Sequence, residues 1–489
     1  MTTNISETIV PPNSVQLGMN LDFDEVIGAM VARKGTALVN AQLVDNNTIL
    51  GLHNFRDTDG SAHNLLATIN ASGGATSVVR TVENNTNIVT GLTASKKMRF
   101  LTFLDSVLMI NGTDAERSWD GASAITTGGA FDLANIPSSN TVSFCEEFLD
   151  RVYVAGDTAQ PDRLYYSSVP SAGAVSWTSG NGNIDIEPEN GAGGITALSK
   201  VPGYLLIFKA RSMHRWNFNS AFPESLVSIG TPSQESVVKG GGLCAFFSAS
   251  SWKTRGFYIT NGDRPLPISH DRARNIKKWI DAIPQSYEAN ISGTGTETYF
   301  AWSIGDVTVD GIAYTNVVVK WNRIFDQWSV RSYPSEFRVF AHYIAASGLT
   351  GITASEHVIA AGDDDGNVLV IDNANNNSPT ATDYPSSTPI RYDYISHSDN
   401  FNTSRIKEIS ERIIIRGNDI QGSKILVRSD LENWITLGEA SKKEYTVLPI
   451  VKKIRGISFE FRIVGNKVGD RPIIKHIEIP HITVLDSYQ

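Results

Sequence analysis

The stretch VKWNRIFDQWSV, from Val319 to Val330, contains two strand-like segments separated by a short polar turn. The first segment ends near Trp321, and the second opens on Trp328. β-branched and aromatic residues favour pleated strands, and polar residues between two such runs favour a tight turn. We therefore predict a β-hairpin here with a tryptophan on each strand.

Comparable units recur along much of the chain. Trp119 and Trp216 occupy places similar to those of the hairpin tryptophans, and dipeptides such as Asn261-Gly262 tolerate the positive φ of hairpin turns. Strands with strongly apolar centres are centred near Leu66, Val107, Val152, Leu206, Tyr258, Phe300 and Ile359. They recur about every 40 to 60 residues, which is close to the length of a four-stranded propeller blade. We predict an all-β chain whose residues 46–372 form a β-propeller of about six or seven blades; a stack of unrelated β-sandwiches is the alternative.

The pattern changes near the end of the repeat. Residues 373–388, NANNNSPTATDYPSST, form a linker by composition. Residues 389–489 then contain several short strands with period-two alternation, such as Phe459, Phe461 and Ile463 on one face. We predict a small C-terminal β-sandwich there, and a strap over residues 1–45 that leads to the first blade. The few helical signals lie at 271–283, stopped by Pro284, and in a single turn near 131–136.

Composition supports this fold class and limits the functions. Of 489 residues, 41% are hydrophobic and only 19% charged, and 40 are glycine. The apolar fraction excludes a disordered chain, and low charge with many glycines argues against long surface helices. The net charge of −9 argues against tight binding to nucleic acid. The charge is divided: residues 401–489 hold 15 Lys and Arg against 11 Asp and Glu, which leaves 27 against 40 for the rest.

The termini and cysteines indicate a protein made in a cytoplasm. The N-terminal sequence lacks a basic segment followed by an apolar one, and no apolar run is long enough to cross a membrane. We therefore expect neither secretion nor membrane insertion. Cys145 and Cys244 lie in apolar strand-like contexts, where buried free thiols are expected.

No motif for catalysis or for a cofactor is present in the sequence. Phosphate loops, dinucleotide fingerprints, zinc-protease helices and nucleophile elbows are all missing. His53 and His63 flank one hairpin but make an incomplete metal site. The acidic stretches 57–60 and 363–367 resemble calcium loops, but the second has its glycine at the wrong place, and exposed Asp-Gly hairpin turns explain both. Glu146 and Glu147 point to opposite faces of a strand. We expect no enzymatic activity, no cofactor and no metal.

Two basic clusters are candidate interaction sites. Lys96 and Lys97 lie close to Arg99, and Lys452 and Lys453 lie close to Arg455. Each is compatible with a solvated face, with contacts to a phosphate backbone, or with a salt-bridged interface between subunits.

The order of these segments resembles a known family. A strap containing NLDFDE leads into VARKGTALVN, then into a first hairpin, ILGLHNFRDTDGSAHNLLATIN, and into a second blade that opens on a basic pair, KKMRFLTFLDSVLMING. This order, over roughly residues 15–370, is similar to that of the nozzle proteins of short-tailed phages, also called tail tubular protein B, and of the related packaged-DNA stabilisation proteins. In that family the strap leads into a basic turn ending in glycine, which Arg33, Lys34 and Gly35 resemble.

The resemblance implies a structural virion protein of the phage tail, made in the host bacterial cytoplasm. Six copies would form a ring below the portal and adaptor, with fibre or needle proteins as further partners. Packaged double-stranded DNA would be retained by the ring and leave through it without being tightly bound. Residues 33–35, the two lysine pairs and Arg455 would then lie at interfaces. Because this chain is shorter than the best-known nozzles, we expect it to lack some insertions of their lower platform. The alternatives are a carbohydrate-binding propeller that reads a receptor, and a polysaccharide hydrolase or lyase.

Overall fold

The computed structural model describes most of the chain. The described residues are 15–22, 29–39, 42–44, 47–60, 63–122, 129–136, 141–187, 193–270, 276–344, 357–371, 382–384, 388–396, 399, 401, 405–430, 432–442, 444–465 and 472–485. Nearly all of their regular structure is β-strand, as the composition predicts.

Four short strands come from the N-terminal segment. They are β1 (Val15–Met19), β2 (Leu21–Asp22), β3 (Met30–Ala32) and β4 (Ala37–Leu38). Each pairs with a strand that lies far away in sequence, so the segment is part of the sheets described below.

Blades 1 to 4 follow, and each is an antiparallel meander. Blade 1 contains β5 (Ile49–Arg56), β6 (His63–Asn70), β7 (Thr76–Thr81) and β8 (Thr86–Thr93); blade 2 contains β9 (Arg99–Phe103), β10 (Ser106–Ile110) and β11 (Arg117–Trp119). Blade 3 contains β12 (Phe144–Phe148), β13 (Arg151–Ala155), β14 (Arg163–Tyr166) and β15 (Gly182–Asp185); blade 4 contains β16 (Ile195–Val201), β17 (Tyr204–Lys209), β18 (Met213–Trp216) and β19 (Glu224–Val227).

Blades 5 to 7 complete the ring. Blade 5 contains β20 (Val238–Gly240), β21 (Leu243–Ser248), β22 (Gly256–Thr260) and β23 (Leu266–Pro267); blade 6 contains β24 (Ser292–Gly295), β25 (Tyr299–Val309), β26 (Ile312–Asn322) and β27 (Gln327–Ser332). Blade 7 contains β28 (Phe337–Ile344), β29 (His357–Asp363) and β30 (Val368–Ile371). Its fourth, outermost strand is β4 from the N-terminal segment, which pairs with β30.

The packing of these sheets makes the chain a β-propeller. The first strand of each blade contacts an inner strand of the next, and β28 of blade 7 contacts β5 of blade 1, so the ring closes. In the described part of the chain, a separate apolar core fills each gap between adjacent blades, seven in all. Fully burying one large apolar side chain stabilises a fold by about 1.5–3 kcal/mol, so these cores together provide most of the driving force for closure.

The predicted tryptophan hairpin lies in blade 6. Its strands are the third and fourth of the blade, and Trp321 is directly opposite Trp328 in the antiparallel register. Trp302 on the neighbouring strand is fully buried and stacks on Phe257 of blade 5, with 4.2 Å between ring centroids. Offset aromatic stacks of this kind add to the burial term. This stretch therefore forms an interblade core, as its residue types indicate.

The C-terminal part forms the predicted β-sandwich. Its strands are β33 (Tyr392–Ser396), β34 (Lys407–Ile409), β35 (Arg412–Asn418), β36 (Lys424–Ser429), β37 (Ile435–Glu439), β38 (Tyr445–Pro449), β39 (Ile454–Gly456), β40 (Phe459–Gly465), β41 (Ile473–Glu478) and β42 (Ile482–Val484). A short pair, β31 (Thr382–Asp383) and β32 (Thr388–Pro389), precedes them within the segment predicted as a linker. One apolar core fills the space between the two larger sheets.

The propeller and the sandwich share a sheet. β1 pairs in parallel with β27 of blade 6 on one side and antiparallel with β33 on the other. The result is a nine-stranded sheet, ordered β24-β25-β26-β27-β1-β33-β40-β36-β37, that runs from the centre of the propeller into the sandwich. β2 and β3 join the second sandwich sheet through β41. The N-terminal segment predicted as a leading strap is thus a structural part of both units.

Helical structure is sparse in the described residues. The segment predicted as helical over 271–283 contains α1 (Ile276–Asp281), while residues 271–275 lie outside the described part. The single turn predicted near 131–136 is a 3₁₀ helix, Leu133–Asn135. Two further 3₁₀ helices, Gln234–Ser236 and Gln285–Asn290, lie in the links before and after blade 5.

One detail of the predicted repeat needs correction. Six of the seven predicted strand centres lie in the second strand of a blade, but Tyr258 lies in β22, the third strand of blade 5. The second strand there is LCAFFS, whose apolar residues are as buried as those of GFYIT after it. Two adjacent strands with the same apolar character cannot be ranked by hydrophobicity alone.

Candidate functional site

Different connections between strands lie at the two ends of the propeller. Because the blades are antiparallel meanders, the turns between first and second strands and between third and fourth strands lie at one end, which we call the turn face. The links between blades lie at the other end, which we call the link face. On the link face, an ion-pair network built on Glu235 spans the mouth of the central channel.

Glu235 lies in the 3₁₀ helix between blades 4 and 5, and it binds two cations that lead into blade 2. Arg99 Nη2 donates to Glu235 Oε1 at 2.7 Å, and Lys97 Nζ lies 3.2 Å from Oε2. Lys97 also donates to the carbonyl of Ala289 between blades 5 and 6, and Arg99 to that of Ser143 between blades 2 and 3. Blades 2 and 5 lie on opposite sides of a seven-membered ring, so these bonds cross the channel mouth and hold it closed.

Further ion pairs join the inner strands. Lys239 of blade 5 binds Glu146 of blade 3 at 2.7 Å, and Lys200 of blade 4 binds Glu147. The two adjacent glutamates therefore serve different cations, as their opposite orientation on a strand requires. Their arrangement is that of structural ion pairs, and nothing in it brings two carboxylates to one substrate position.

The surroundings of Glu235 and His53 determine their charge states. Burial raises the pKa of Glu235, but Arg99 and Lys97 outweigh that effect and hold its pKa at about 2. His53 is stacked on Phe100, and burial together with Lys239 lowers its pKa to about 4. Its Nε2 lies 2.7 Å from the Thr102 hydroxyl. Near pH 7, the histidine is neutral and the carboxylate charged.

We expect Glu235→Gln to lower the free energy of unfolding at pH 7 by about 2–4 kcal/mol, because it leaves two partly buried cations without a counter-charge. The folded-state pKa of Glu235 lies below its ordinary value of 4.5. Its contribution is therefore full above pH 4.5 and is lost as the pH falls towards 2. Urea unfolding between pH 7 and pH 3 measures both effects.

The matched control is Glu224→Gln, which removes a carboxylate bound to Arg215 that is 61% exposed. An exposed pair of this kind contributes less than about 1 kcal/mol. Equal unfolding midpoints for Glu235→Gln and wild type would contradict the role given to the channel network.

A second charged cluster lies at the junction of strap, propeller and sandwich. Arg33 is fully buried and binds Asp383 in bidentate fashion, with Nη1–Oδ1 at 2.8 Å and Nη2–Oδ2 at 2.5 Å. It also donates to Asn20 Oδ1 and to the carbonyl of Ser332, and it lies 4.1 Å above the ring of Tyr333. Burial opposes the charge, but Asp383 outweighs it and raises the pKa of Arg33.

Asp22 and Arg331 form the matching pair nearby. Arg331 Nη2 donates to both carboxylate oxygens of Asp22, at 2.7 and 2.8 Å, and both side chains are almost fully buried. Asn20 completes the junction by binding the carbonyl of Arg391 and the hydroxyl of Ser332. The strap therefore contributes Asn20, Asp22 and Arg33 to one buried polar joint.

The structure places the predicted basic residues in three different environments. Lys34 is half-buried and Gly35 buried beside the joint that contains Arg33. Lys96 is exposed, while Lys97 takes part in the channel network. Lys452, Lys453 and Arg455 are exposed on the sandwich. Arg33, Lys97, Lys453 and Arg455 thus each bind a carboxylate within the chain. The placement of the predicted basic residues at subunit contacts stays a prediction.

The stretches considered for metals or thiol chemistry have structural explanations. Asp363 is buried and accepts bonds from the amides of Asp365 and Asn367, so 363–367 forms a self-bonded hairpin turn. Burial raises the pKa of both Cys145 and Cys244 to about 12, which keeps them as thiols. Within the described residues, no three His, Cys, Asp or Glu side chains come together as a set of metal ligands. The side chain of His63 lies outside the described part.

Comparisons with known proteins give only weak structural similarities. No family model matches the chain, and no curated protein matches it. Similar solved structures include the N-terminal domain of Nup159 (12% identity, TM-score 0.37, covering 73% of this chain and 99% of that one). Sqt1 of Saccharomyces cerevisiae is another (8% identity, TM-score 0.38, covering 69% and 98%). The extracellular domain of a one-component system from B. thetaiotaomicron is a third (10% identity, TM-score 0.43, covering 89% and 60%). Such low scores carry no argument about function, so the propeller assignment rests on the sheets and cores described above.

The described helices include none with the length and apolar character needed to span a bilayer.

Proposed function

We propose that this chain is a structural subunit of a short-tailed phage tail, of the nozzle type, and that its copies form a ring. The ring would retain packaged DNA and conduct it during ejection, with portal or adaptor proteins above and fibre or needle proteins below. The observation that carries the proposal is the N-terminal strap, which pairs with blade 6, blade 7 and both sandwich sheets. A subunit that bears the pressure of packaged DNA requires its domains to be held in one fixed arrangement.

The closed channel supports the same proposal. Ion pairs cross the mouth of the propeller channel, so DNA has no path through a single subunit. A conduit made from this protein has to lie between copies, at the centre of a ring. A heterologous contact repeated by rotation generates such a ring.

The charge of the chain suits a conduit that releases DNA. Residues before 401 carry 40 acidic against 27 basic side chains. Each phosphate neutralised by a cation adds affinity, so a wall short of cations lets DNA slide. We expect no measurable binding of the purified protein to a duplex of about 30 base pairs at about 0.15 M salt, measured by fluorescence anisotropy. A submicromolar dissociation constant for the duplex would contradict a conduit that releases DNA without binding it.

The functional test uses phage particles. A phage with a nonsense mutation in this gene, grown on a non-suppressing host, is expected to fill heads that then lose their DNA, which becomes sensitive to DNase. Particles from a suppressing host are the control. Particles that retain protected DNA without the protein would overturn the proposal.

A pocket favours carbohydrate binding as a second candidate. A cavity of about 630 Å³ opens between blades 5, 6 and 7, and its lining includes Lys239, Thr298, Tyr299, His342 and His357. This volume lies within the range of small-ligand sites, and a tyrosine among polar groups suits a sugar. A glycan array tests carbohydrate binding in this cavity. A specific signal that Tyr299→Ala abolishes would favour recognition of a receptor glycan.

A further inference from the structure

The sandwich carries an exposed surface that combines cations with apolar side chains. It lies on the three-stranded sheet β39-β34-β42 and its flanks, and we call it the basic sheet surface: Ile406, Val451, Lys452, Lys453, Arg455 and Ile457. The three apolar side chains are 49%, 98% and 44% exposed. Because Lys407 pairs with Gly456, Ile406 and Ile457 are neighbours across the strands. Apolar side chains grouped at the centre of a charged rim are typical of protein interfaces.

The cations of this surface are held in place. Glu408 is only 6% exposed and binds both Lys453 and Arg455, at 2.7 and 2.8 Å, while those two side chains are 63% and 60% exposed. One carboxylate therefore orients two cations towards solvent, and Lys452 lies exposed beside them. A positively charged surface of fixed geometry fits an acidic partner.

The propeller carries a surface of opposite character. On the turn face, the first turns of blades 2 and 3 are Leu104-Asp105 and Leu149-Asp150, and we call them the acidic turns. Both aspartates are exposed, and Leu149 is 53% exposed. All four residues have positive φ, between 49° and 55°, where glycine or asparagine would fit with less strain. The backbone of Thr58 in blade 1 donates to Asp105, which joins a third turn to the same area.

The two surfaces belong to distant parts of the subunit. The sandwich is attached through blade 6, and blades 2 and 3 are each three blades away from it in a ring of seven. A contact that repeats head to tail joins two different surfaces of each copy, and it forms a ring when the rotation between copies closes. Residues 401–489 are net positive while the rest of the chain is strongly net negative, so one copy attracts the next in this orientation.

We propose that the basic sheet surface of one copy docks on the acidic turns of a second copy of this chain, and that this contact forms the ring. The proposal rests on the ring-forming function given above and names the surfaces that would build it.

A charge swap on the full-length protein tests this pairing. Lys452→Glu with Lys453→Glu, and separately Asp105→Lys with Asp150→Lys, are each expected to raise the concentration for half-assembly at least about tenfold. A chain that carries all four substitutions is expected to regain assembly, because the charges again face each other. Mass photometry at about 0.15 M salt measures the assemblies, and thermal unfolding checks that each variant is folded.

The control is Lys424→Glu with Lys442→Glu, which makes the same charge change on exposed lysines elsewhere on the sandwich. It should leave assembly unchanged. Wild-type-like rings from either reversed pair would overturn the docking proposal while leaving the ring itself intact. Disassembly without rescue in the four-fold variant would show that each surface meets something other than its proposed counterpart. A wild-type protein that stays monomeric throughout would instead remove the proposed function.

Discussion

A chain that lacks residues 1–38 is expected to lose its cooperative unfolding and to become susceptible to protease at both blade 7 and the sandwich. The deletion removes β4, the outer strand of blade 7, and β1, which lies between blade 6 and the sandwich. It also leaves Asp383 and Arg331 buried without their counter-charges, and an unpaired buried charge costs about 3–5 kcal/mol. The combined cost of the two unpaired charges is comparable to the whole free energy of unfolding of a typical domain, about 5–15 kcal/mol.

Urea unfolding followed by tryptophan fluorescence, together with limited proteolysis, measures this effect. A synthetic peptide of residues 15–39, added to the truncated chain during refolding, is expected to restore protection, whereas a scrambled peptide of the same composition is not. A truncated chain that unfolds at the wild-type midpoint would show that the strap is dispensable for joining the two units.

The second large effect is expected at the buried joint. Asp383→Ala leaves Arg33 fully buried and charged, and should lower the free energy of unfolding by about 3–5 kcal/mol. The control Asp185→Ala removes the partner of Arg163 from a bidentate pair of the same type that is exposed. Because water screens that pair, the control should cost less than about 1 kcal/mol.

A double variant separates the charge from the packing. Arg33→Met with Asp383→Ala removes both buried charges, so it should be less destabilised than the sum of the two single changes. Additive losses in the double-mutant cycle would mean that the two side chains do not interact in solution.

The fold could be predicted because it depends on local patterns. Trp321 and Trp328 are seven residues apart, and strand propensity with a polar turn is enough to place them opposite each other. The roughly regular recurrence of such units then indicates a propeller. The presence of the sandwich followed from a change in the same kind of pattern after the polar segment at 373–388.

The candidate site could not be predicted in the same way, because its contacts are long-range. Arg33 and Asp383 are 350 residues apart, and Asp383 lies in a segment that reads as a linker by composition. Glu235 is separated from Arg99 by 136 residues and stands in a short link with no motif. The cluster of Lys96, Lys97 and Arg99 indicates only a basic patch in the sequence, because the closure of the ring is what brings Glu235 across the channel to Lys97 and Arg99.

The central claim is that copies of this chain form a closed ring. Mass photometry with negative-stain microscopy of the purified wild-type protein tests it most directly. We predict particles of about 320 kDa, six copies of the 53.2 kDa chain, that appear as rings with a central opening. Monomers of 53.2 kDa at every concentration, with no ring in the micrographs, would contradict it.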